Sequence, residues 1–366
     1  MSLLDKLVKN STIKMSAPLL ESKVYGKKDM APTNVPMINV ALSGRIDGGV
    51  SPGLLVLAGP SKHFKSAFAL LMAGAYMQRN KDAVLLFYDA EFGTPQAYFE
   101  SFGIDMTRVV HTPITNVEEL KFDIAHQLDQ ITKGEKVIIV IDSIGNLASK
   151  KEVADALDGK SVADMSRAKA LKSLFRIVTP HLNLKDIPLI AVNHTYQEIG
   201  LFPKAVVSGG TGIYYSADAI WIIGRQQDKV GTEIQGYHFI INIEKSRHVK
   251  EKSKIPVSVS WEGGIVKWSG LMEIAEKGGY LNKPKVGWYE AINPATGEVI
   301  SEKLMRAKEV NDNKDFWLMM FEKTDFSTFI KNNFTIGASG SIMREDDDES
   351  KRVTAVLDDL DNEDEN

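Results

Sequence analysis

The octapeptide Gly59-Pro60-Ser61-Lys62-His63-Phe64-Lys65-Ser66 holds the residue types that a phosphate cradle needs. It follows the apolar run 54–58 and leads into Ala67-Phe68-Ala69-Leu70-Leu71-Met72, so a buried strand, a tight loop and a helix N-terminus come in that order. In such a loop backbone N–H groups and the helix dipole face the anion, a lysine reaches the β- and γ-phosphates, and a hydroxyl holds Mg²⁺. Lys65 and Ser66 are that lysine and that hydroxyl in this reading. The pattern G-x-x-x-x-G-K-[ST] is broken once, because Phe64 stands where the second glycine belongs. A phenylalanine at positive φ is strained, so the loop is expected to hold Phe64 at negative φ. On the octapeptide alone, an ordinary strand-turn-helix with a Lys-Ser pair is the competing reading.

Further along the chain other polar groups end apolar runs. Asp142 closes the run 137–141, where a carboxylate can hold Mg²⁺ directly or through a water, or simply cap the next turn. Glu91 lies just past the run 84–88, well placed to orient or deprotonate a water attacking a γ-phosphate; by spacing alone Asp89 competes for that role. Asn193-His194 ends the run 188–192 and could sense a terminal phosphate. The stretch that follows, 195–216, carries Gly200, Gly209, Gly210 and Gly212, and loops of that length in compact folds are functional or disordered. A basic segment, 244–254, reads as a solvated hairpin, a set of nucleic-acid phosphate contacts, or a cation supplied to a neighbour's nucleotide.

The elements that must position these groups alternate. Strands are expected at 54–58, 84–88, 109–111, 137–141, 189–193, 219–223 and 239–243, with helices at 65–78, 95–102, 117–131 and about 162–182. Continuous apolar strands between amphipathic helices imply an α/β fold with a mostly parallel sheet covered on both faces. Ligands in such sheets bind beyond the carboxyl ends of the strands, where every candidate above lies. Four regions are expected: 1–36, an amphipathic N-terminal oligomerisation segment (Leu3, Leu4, Leu7 and Val8 on one face) with a linker; 37–270, the core; 271–335, a small C-terminal domain with a helical pattern at 316–332; and 336–366, an acidic, disordered tail.

Composition narrows the classes. The 366 residues are 43% hydrophobic, enough for a full core, and contain no cysteine, which excludes disulfide and thiolate-metal frameworks. No run of 18 apolar residues occurs and the first ten residues lack a signal-peptide core, so a soluble, cytoplasmic protein without membrane association is expected. The net charge of −4 divides into 11 acidic against 2 basic side chains from residue 345 onward, and a mildly basic remainder. A basic body with an acidic tail suits a polyanion-binding surface and a segment that competes for it, although the tail can equally serve solubility.

Taken together, GPSKHFKS, YDAEFG, VIIVIDS, IAVNHT, GGTG and EKSRHVK, in that order and over nearly the whole chain, resemble the RecA-type recombinases and, within them, the UvsX recombinases of T4-like bacteriophages. The resemblance implies a RecA-like P-loop ATPase core that uses ATP and Mg²⁺, binds single- and double-stranded DNA, and assembles with itself as a helical filament. It implies homologous pairing and strand exchange in recombination, repair and recombination-dependent replication, with hydrolysis driving filament turnover. A recombination mediator and a single-strand-binding protein are implied partners, and the host cytoplasm the location. By the same resemblance Glu91 is the catalytic glutamate beside Lys65 and Asp142, and Tyr98 stacks on the adenine. His194 stands where bacterial RecA has a glutamine that senses the γ-phosphate, so the sensor chemistry departs there. Lys245 and Arg247 match the paired cations that reach a neighbour's ATP. The segments 149–160 and 195–216 resemble the two DNA-binding loops, with Lys160, Arg167, Phe202, Lys204, Gly209 and Gly210 as the DNA-contacting residues. A ring-forming helicase and a nucleotide-gated scaffold without productive hydrolysis are the rival functions.

Overall fold

Three runs, GLLVLA, VIIVID and PLIAVN, are buried at every position, as strands covered on both faces must be. In this computed structural model, which describes all residues except 25, 27, 160–164, 199–203, 231 and 338–366, they form the middle of a nine-stranded sheet. In chain order the helices of the first part are α1 (Leu3–Asn10), α2 (Pro36–Ser43), α3 (Lys65–Arg79), α4 (Gln96–Ser101), α5 (Val117–Gln130), α6 (Lys150–Leu157), α7 (Ser166–Lys185) and α8 (Thr211–Ser216). The strands are β1 (Gly53–Ala58), β2 (Val84–Asp89), β3 (Val109–Pro113), β4 (Val137–Asp142), β5 (Pro188–Asn193), β6 (Thr195–Gln197), β7 (Ala205–Val207), β8 (Ala219–Val230), β9 (Glu233–Ser246), β10 (Lys254–Ser260) and β11 (Gly264–Ile265). The order across the sheet is β11-β10-β9-β8-β1-β5-β4-β2-β3, parallel from β8 to β3 and antiparallel from β8 to β11.

The period-2 alternation of a strand divides the core. Leu55 and Leu57 of β1 pack with Phe68 and Met72 of α3 and with Trp221, while Leu54 and Val56 pack on the other face with Leu120, Leu171 and Phe175 of α5 and α7. Beyond the sheet lie α9 (Leu271–Lys277), a three-stranded sheet of β12 (Leu281–Lys285), β13 (Trp288–Ala291) and β14 (Met305–Arg306), and the helices α10 (Ala307–Asp312), α11 (Lys314–Lys323) and α12 (Phe326–Phe334). Trp317, Phe326 and Ile330 of this lobe belong to one apolar cluster with Met37, Ile38 and Trp268, so the lobe rests on α2.

Several expectations change. The helical pattern at 316–332 is two helices, broken at Thr324-Asp325, where the Thr324 hydroxyl bonds back to Met320 and forward to the Phe326 N–H. Residues 219–223 open β8 and 239–243 lie in the middle of β9, two strands of a long hairpin whose polar far ends hid its length. Pro36, expected to end the linker, is the first residue of a buried helix over 36–43 that the sequence reading did not mark. The segments 149–160 and 195–216 are not simply loops: the first holds α6, capped by a Ser149–Glu152 capping box, and the second holds the β6–β7 hairpin and α8. Helix α1 has its own Ser2–Asp5 capping box yet buries nothing, leaving Leu3, Leu4 and Leu7 exposed. Among the described residues no helix is long and apolar enough to cross a membrane. Lys160, Phe202 and the acidic tail from 345 lie outside the described residues.

Candidate nucleotide site and nucleic-acid face

Because β1, β5, β4 and β2 are neighbours and parallel, their carboxyl ends bring the 59–66 loop, Asn193-His194, Asp142-Ser143 and Asp89–Glu91 to one edge. The 59–66 loop closes on itself: Lys65 is buried and its Nζ donates to the Pro60 carbonyl at 2.7 Å. Burial lowers the Lys65 pKa, against the pull of the Glu91 and Asp142 carboxylates. Arg225 of β8, stacked over Tyr237 at 4.5 Å, donates to the Lys62 carbonyl at 2.9 Å and braces the loop from outside.

Phe64 is not at negative φ. It sits at φ 60, ψ 18, in the left-handed region, as does Lys62 at φ 61. The cost, about 1–2 kcal/mol for a non-glycine residue, is offset by the ring. It stacks on Phe239 at 5.5 Å and meets the edge of Phe68 at 5.6 Å, filling a gap between β9 and α3. The backbone keeps the glycine conformation of the usual loop, and the side chain joins the core.

Asp142 is buried at the end of β4, and among the described residues its Oδ1 has no hydrogen-bond partner. Burial raises its pKa to about 6; the nearby Glu91 and Asp89 charges push the same way, and the hydroxyls of Ser66 and Thr94 oppose them. An unpartnered buried carboxylate oxygen beside a serine hydroxyl is a fitting donor set for Mg²⁺, which takes one or two protein oxygens together with substrate phosphates. Glu91, just beyond β2, accepts from the Ser143 hydroxyl at 2.6 Å, from Asn146 Nδ2 at 3.3 Å and faces His194 Nε2 at 3.2 Å. The His194 contact is the main reason its pKa is lowered, despite burial. Asp89 is committed otherwise, accepting from the backbone N–H groups of Glu91 and Phe92 and facing His111. His194 lies over Gly145 so closely that a Cβ there would be 2.2 Å from its ring.

Tyr98, partly exposed on α4, lines a groove of about 560 Å³ beside the phosphate loop, together with Phe64, Phe102, Trp261 and Lys267. Trp261, in the turn between β10 and β11, was not singled out from sequence; an exposed tryptophan followed by Glu-Gly-Gly was the available signal.

Lys245 and Arg247 are at the other end of the sheet. Ser246 pairs with Ala219, which pairs with Leu55 near the start of β1, whereas the phosphate loop follows Ala58 at the end of that strand, three residues and about 10 Å further along at 3.3 Å per residue. Lys245 Nζ donates to the Tyr214 carbonyl at 2.6 Å, at the last turn of α8, and Arg247 Nε pairs with Asp218 at 2.6 Å.

The expected DNA-contacting residues separate. Lys204 is exposed just before β7, its carbonyl bonded to the Glu198 N–H across the hairpin. Gly209 and Gly210 have positive φ, and a Cβ at Gly209 would lie 2.6 Å from Ile213, so the loop can turn into α8 only without a side chain there. Arg167 does not present its guanidinium freely. It donates to the carbonyls of Ile144, Gly145 and Leu147 at 2.7–2.9 Å and meets the Ser208 hydroxyl at 3.4 Å. Ser208 is in turn tied to Asn193 and His194. The arginine therefore joins the turn after β4, which carries Asn146, to the end of the β6–β7 hairpin.

Comparison with known proteins agrees with this architecture. The sequence profile described as RecA N-terminal domain matches residues 9–266, and that of the bacteriophage T4 recombination and repair protein C-terminal domain matches 268–330. The recombination and repair protein of Enterobacteria phage T4 is 52% identical over 340 residues, 92% of this chain and 87% of that protein. Protein RecA of Tropheryma whipplei is 25% identical over 81% of this chain and 68% of its own length, and that of Lactobacillus delbrueckii 24% identical over 90% and 86%. With a parallel sheet that gathers a phosphate loop, a buried strand-end aspartate and a glutamate–histidine pair at one edge, and with these relatives along its length, the chain belongs to the RecA family of recombinases.

Proposed function

We propose that this recombinase is a DNA-dependent ATPase whose catalytic site is completed by a neighbouring subunit, and that it polymerises on single-stranded DNA to pair it with a homologous duplex. The observation that carries the reading is the separation along the sheet: Lys65, Ser66, Asp142, Glu91 and His194 share one edge, and Lys245 and Arg247 lie at the other. Within one chain Lys245 and Arg247 are instead engaged with Tyr214 and Asp218. A head-to-tail assembly that brings the second set of one subunit to the first set of the next grows as a helix when its rotation does not close, and as a ring when it does; membership of the family supports the first. The exposed apolar face of α1 supplies a docking element for such growth.

In the mechanism, the backbone of 59–64, with Lys65, holds the ATP phosphates, and Tyr98 with Trp261 flanks the base. Ser66 and Asp142 would hold Mg²⁺, which when bound neutralises developing charge on the phosphate oxygens. Glu91, held by Ser143 and Asn146, orients and deprotonates the attacking water. His194 trades its contact with Glu91 for the terminal phosphate. Because its neighbour Asn193 is bonded to Ser208, that exchange reaches the hairpin that ends in Gly209-Gly210. Lys204 and the glycine turn then meet the DNA backbone, while Arg167 acts as a tether beneath them. A regulated element of this kind couples nucleotide state to DNA affinity. A mediator, a single-strand-binding protein and a site of action in the host cytoplasm belong to the same reading.

The test is ATP hydrolysis with and without single-stranded DNA, with electron microscopy of the same mixtures. Stimulated turnover on open helical filaments is expected. Closed rings would favour a helicase-like machine, and filaments without turnover a nucleotide-gated scaffold.

A further inference from the structure

We propose that His111, on the edge strand β3, is a positioning residue for Glu91, acting through Asp89. The inference rests on the reading of Glu91 as the group that handles water. Asp89 is the last residue of β2, its side chain only 9% exposed, and both of its oxygens are engaged. Oδ1 accepts the backbone N–H of Glu91 at 3.1 Å and of Phe92 at 2.8 Å, an Asx turn that ends the strand. Oδ2 faces His111 Nε2 at 3.2 Å; an ionised carboxylate only accepts, so Nε2 carries the proton.

The turn has to be held. Phe92 follows at φ 54 with its ring 63% exposed, so no packing of that ring offsets the left-handed backbone. The Asp89 carboxylate fixes the backbone from which Glu91 reaches Ser143 and His194, and His111 holds the second oxygen of that carboxylate. The imidazole is itself oriented: it pairs with Phe87 across the β2–β3 register and lies parallel to that ring, at 5.8 Å and 24°. The three residues line a cavity of about 370 Å³ on the β3 side of the turn, with Phe92 and Phe99. Among the described residues the hydrogen-bond and ring contacts of His111 are with Asp89 and Phe87, not with the groups assigned to ATP or Mg²⁺. Its effect is on the aim of Glu91, and small displacements of a catalytic group are costly in rate.

The experiment compares His111→Ala and His111→Gln with the unaltered protein, and takes Glu91→Gln as a reference. The readouts are kcat and KM for ATP at saturating single-stranded DNA, and filament mass formed with a non-hydrolysable ATP analogue. His111→Ala is expected to lower kcat roughly five- to tenfold while KM and filament mass hold. His111→Gln, whose amide N–H₂ can donate to Asp89, is expected to recover most of the loss. An unchanged kcat, a loss of filament mass that accounts for the lost turnover, or a glutamine variant no better than alanine would each overturn the proposal. Normal hydrolysis by Glu91→Gln would instead show that the reading of Glu91 itself is at fault.

Discussion

Glu91 Oε1 and His194 Nε2 lie 3.2 Å apart, joining the end of β2 to the end of β5 across the intervening strand β4. The acidic group proposed to handle water and the histidine proposed to read the terminal phosphate are thus each other's partner. Nucleotide binding that draws His194 away frees the carboxylate at the same time, so one exchange can both report the phosphate and release the base.

This pair has a pH signature. The Glu91 pKa is lowered in the folded chain from an ordinary value of 4.5, chiefly by His194. Its contribution to stability is therefore present above the unfolded pKa and lost as pH falls through the lower, folded value. Thermal melts of nucleotide-free protein between about pH 3 and about pH 6 should show a shallower acid-side loss for His194→Ala than for the unaltered chain. Parallel curves would mean that the contact contributes nothing to the fold.

Phe64 separates backbone strain from packing. Phe64→Gly removes the strain but also the ring contacts with Phe68 and Phe239, a loss of roughly 2–3 kcal/mol by burial and aromatic packing. Phe64→Ala loses the ring and keeps the strain, costing about 1 kcal/mol more. Urea denaturation should rank the unaltered protein above glycine and glycine above alanine. A glycine variant more stable than the parent would show that the ring does not offset the backbone.

If Lys245 and Arg247 act on a neighbour's nucleotide, two inactive variants should rescue each other. Lys65→Ala keeps the cations and loses the phosphate lysine; Lys245→Ala does the reverse. A random equimolar mixture places an intact half-site of each kind together at about a quarter of interfaces, and DNA-stimulated hydrolysis should return to about that fraction. A mixture as inactive as its components would place the cations' role within their own chain or nowhere.

Arg167 distinguishes a tether from a phosphate contact. Its guanidinium donates to three backbone carbonyls, which alanine would leave bare. Arg167→Ala is expected to weaken single-stranded DNA binding several-fold by loosening the loops, with the slope of log affinity against log salt unchanged. A slope reduced by about one would make it a direct phosphate contact.

Much of this protein was legible in its sequence because the relevant forces are local. An apolar run ending in a polar residue marks a buried parallel strand with a polar group at its carboxyl end, which is how Asp142 and His194 became candidates; Lys65 came from the phosphate-loop pattern, and the preference for Glu91 over Asp89 from the family resemblance. Short-range patterns set no contact order, however. That β5 enters between β1 and β4, putting His194 against Glu91, follows from sheet topology, a matter of which long-range pairings bury the most surface. The preference of phenylalanine for negative φ was the wrong guide at residue 64, because Phe239, 175 residues further along the chain, closes with Phe68 around its ring only in the folded state. For the same reason the bonds of Arg167, which the resemblance offered as a DNA contact, were not legible: its partners are backbone carbonyls, which every residue has and no sequence pattern marks.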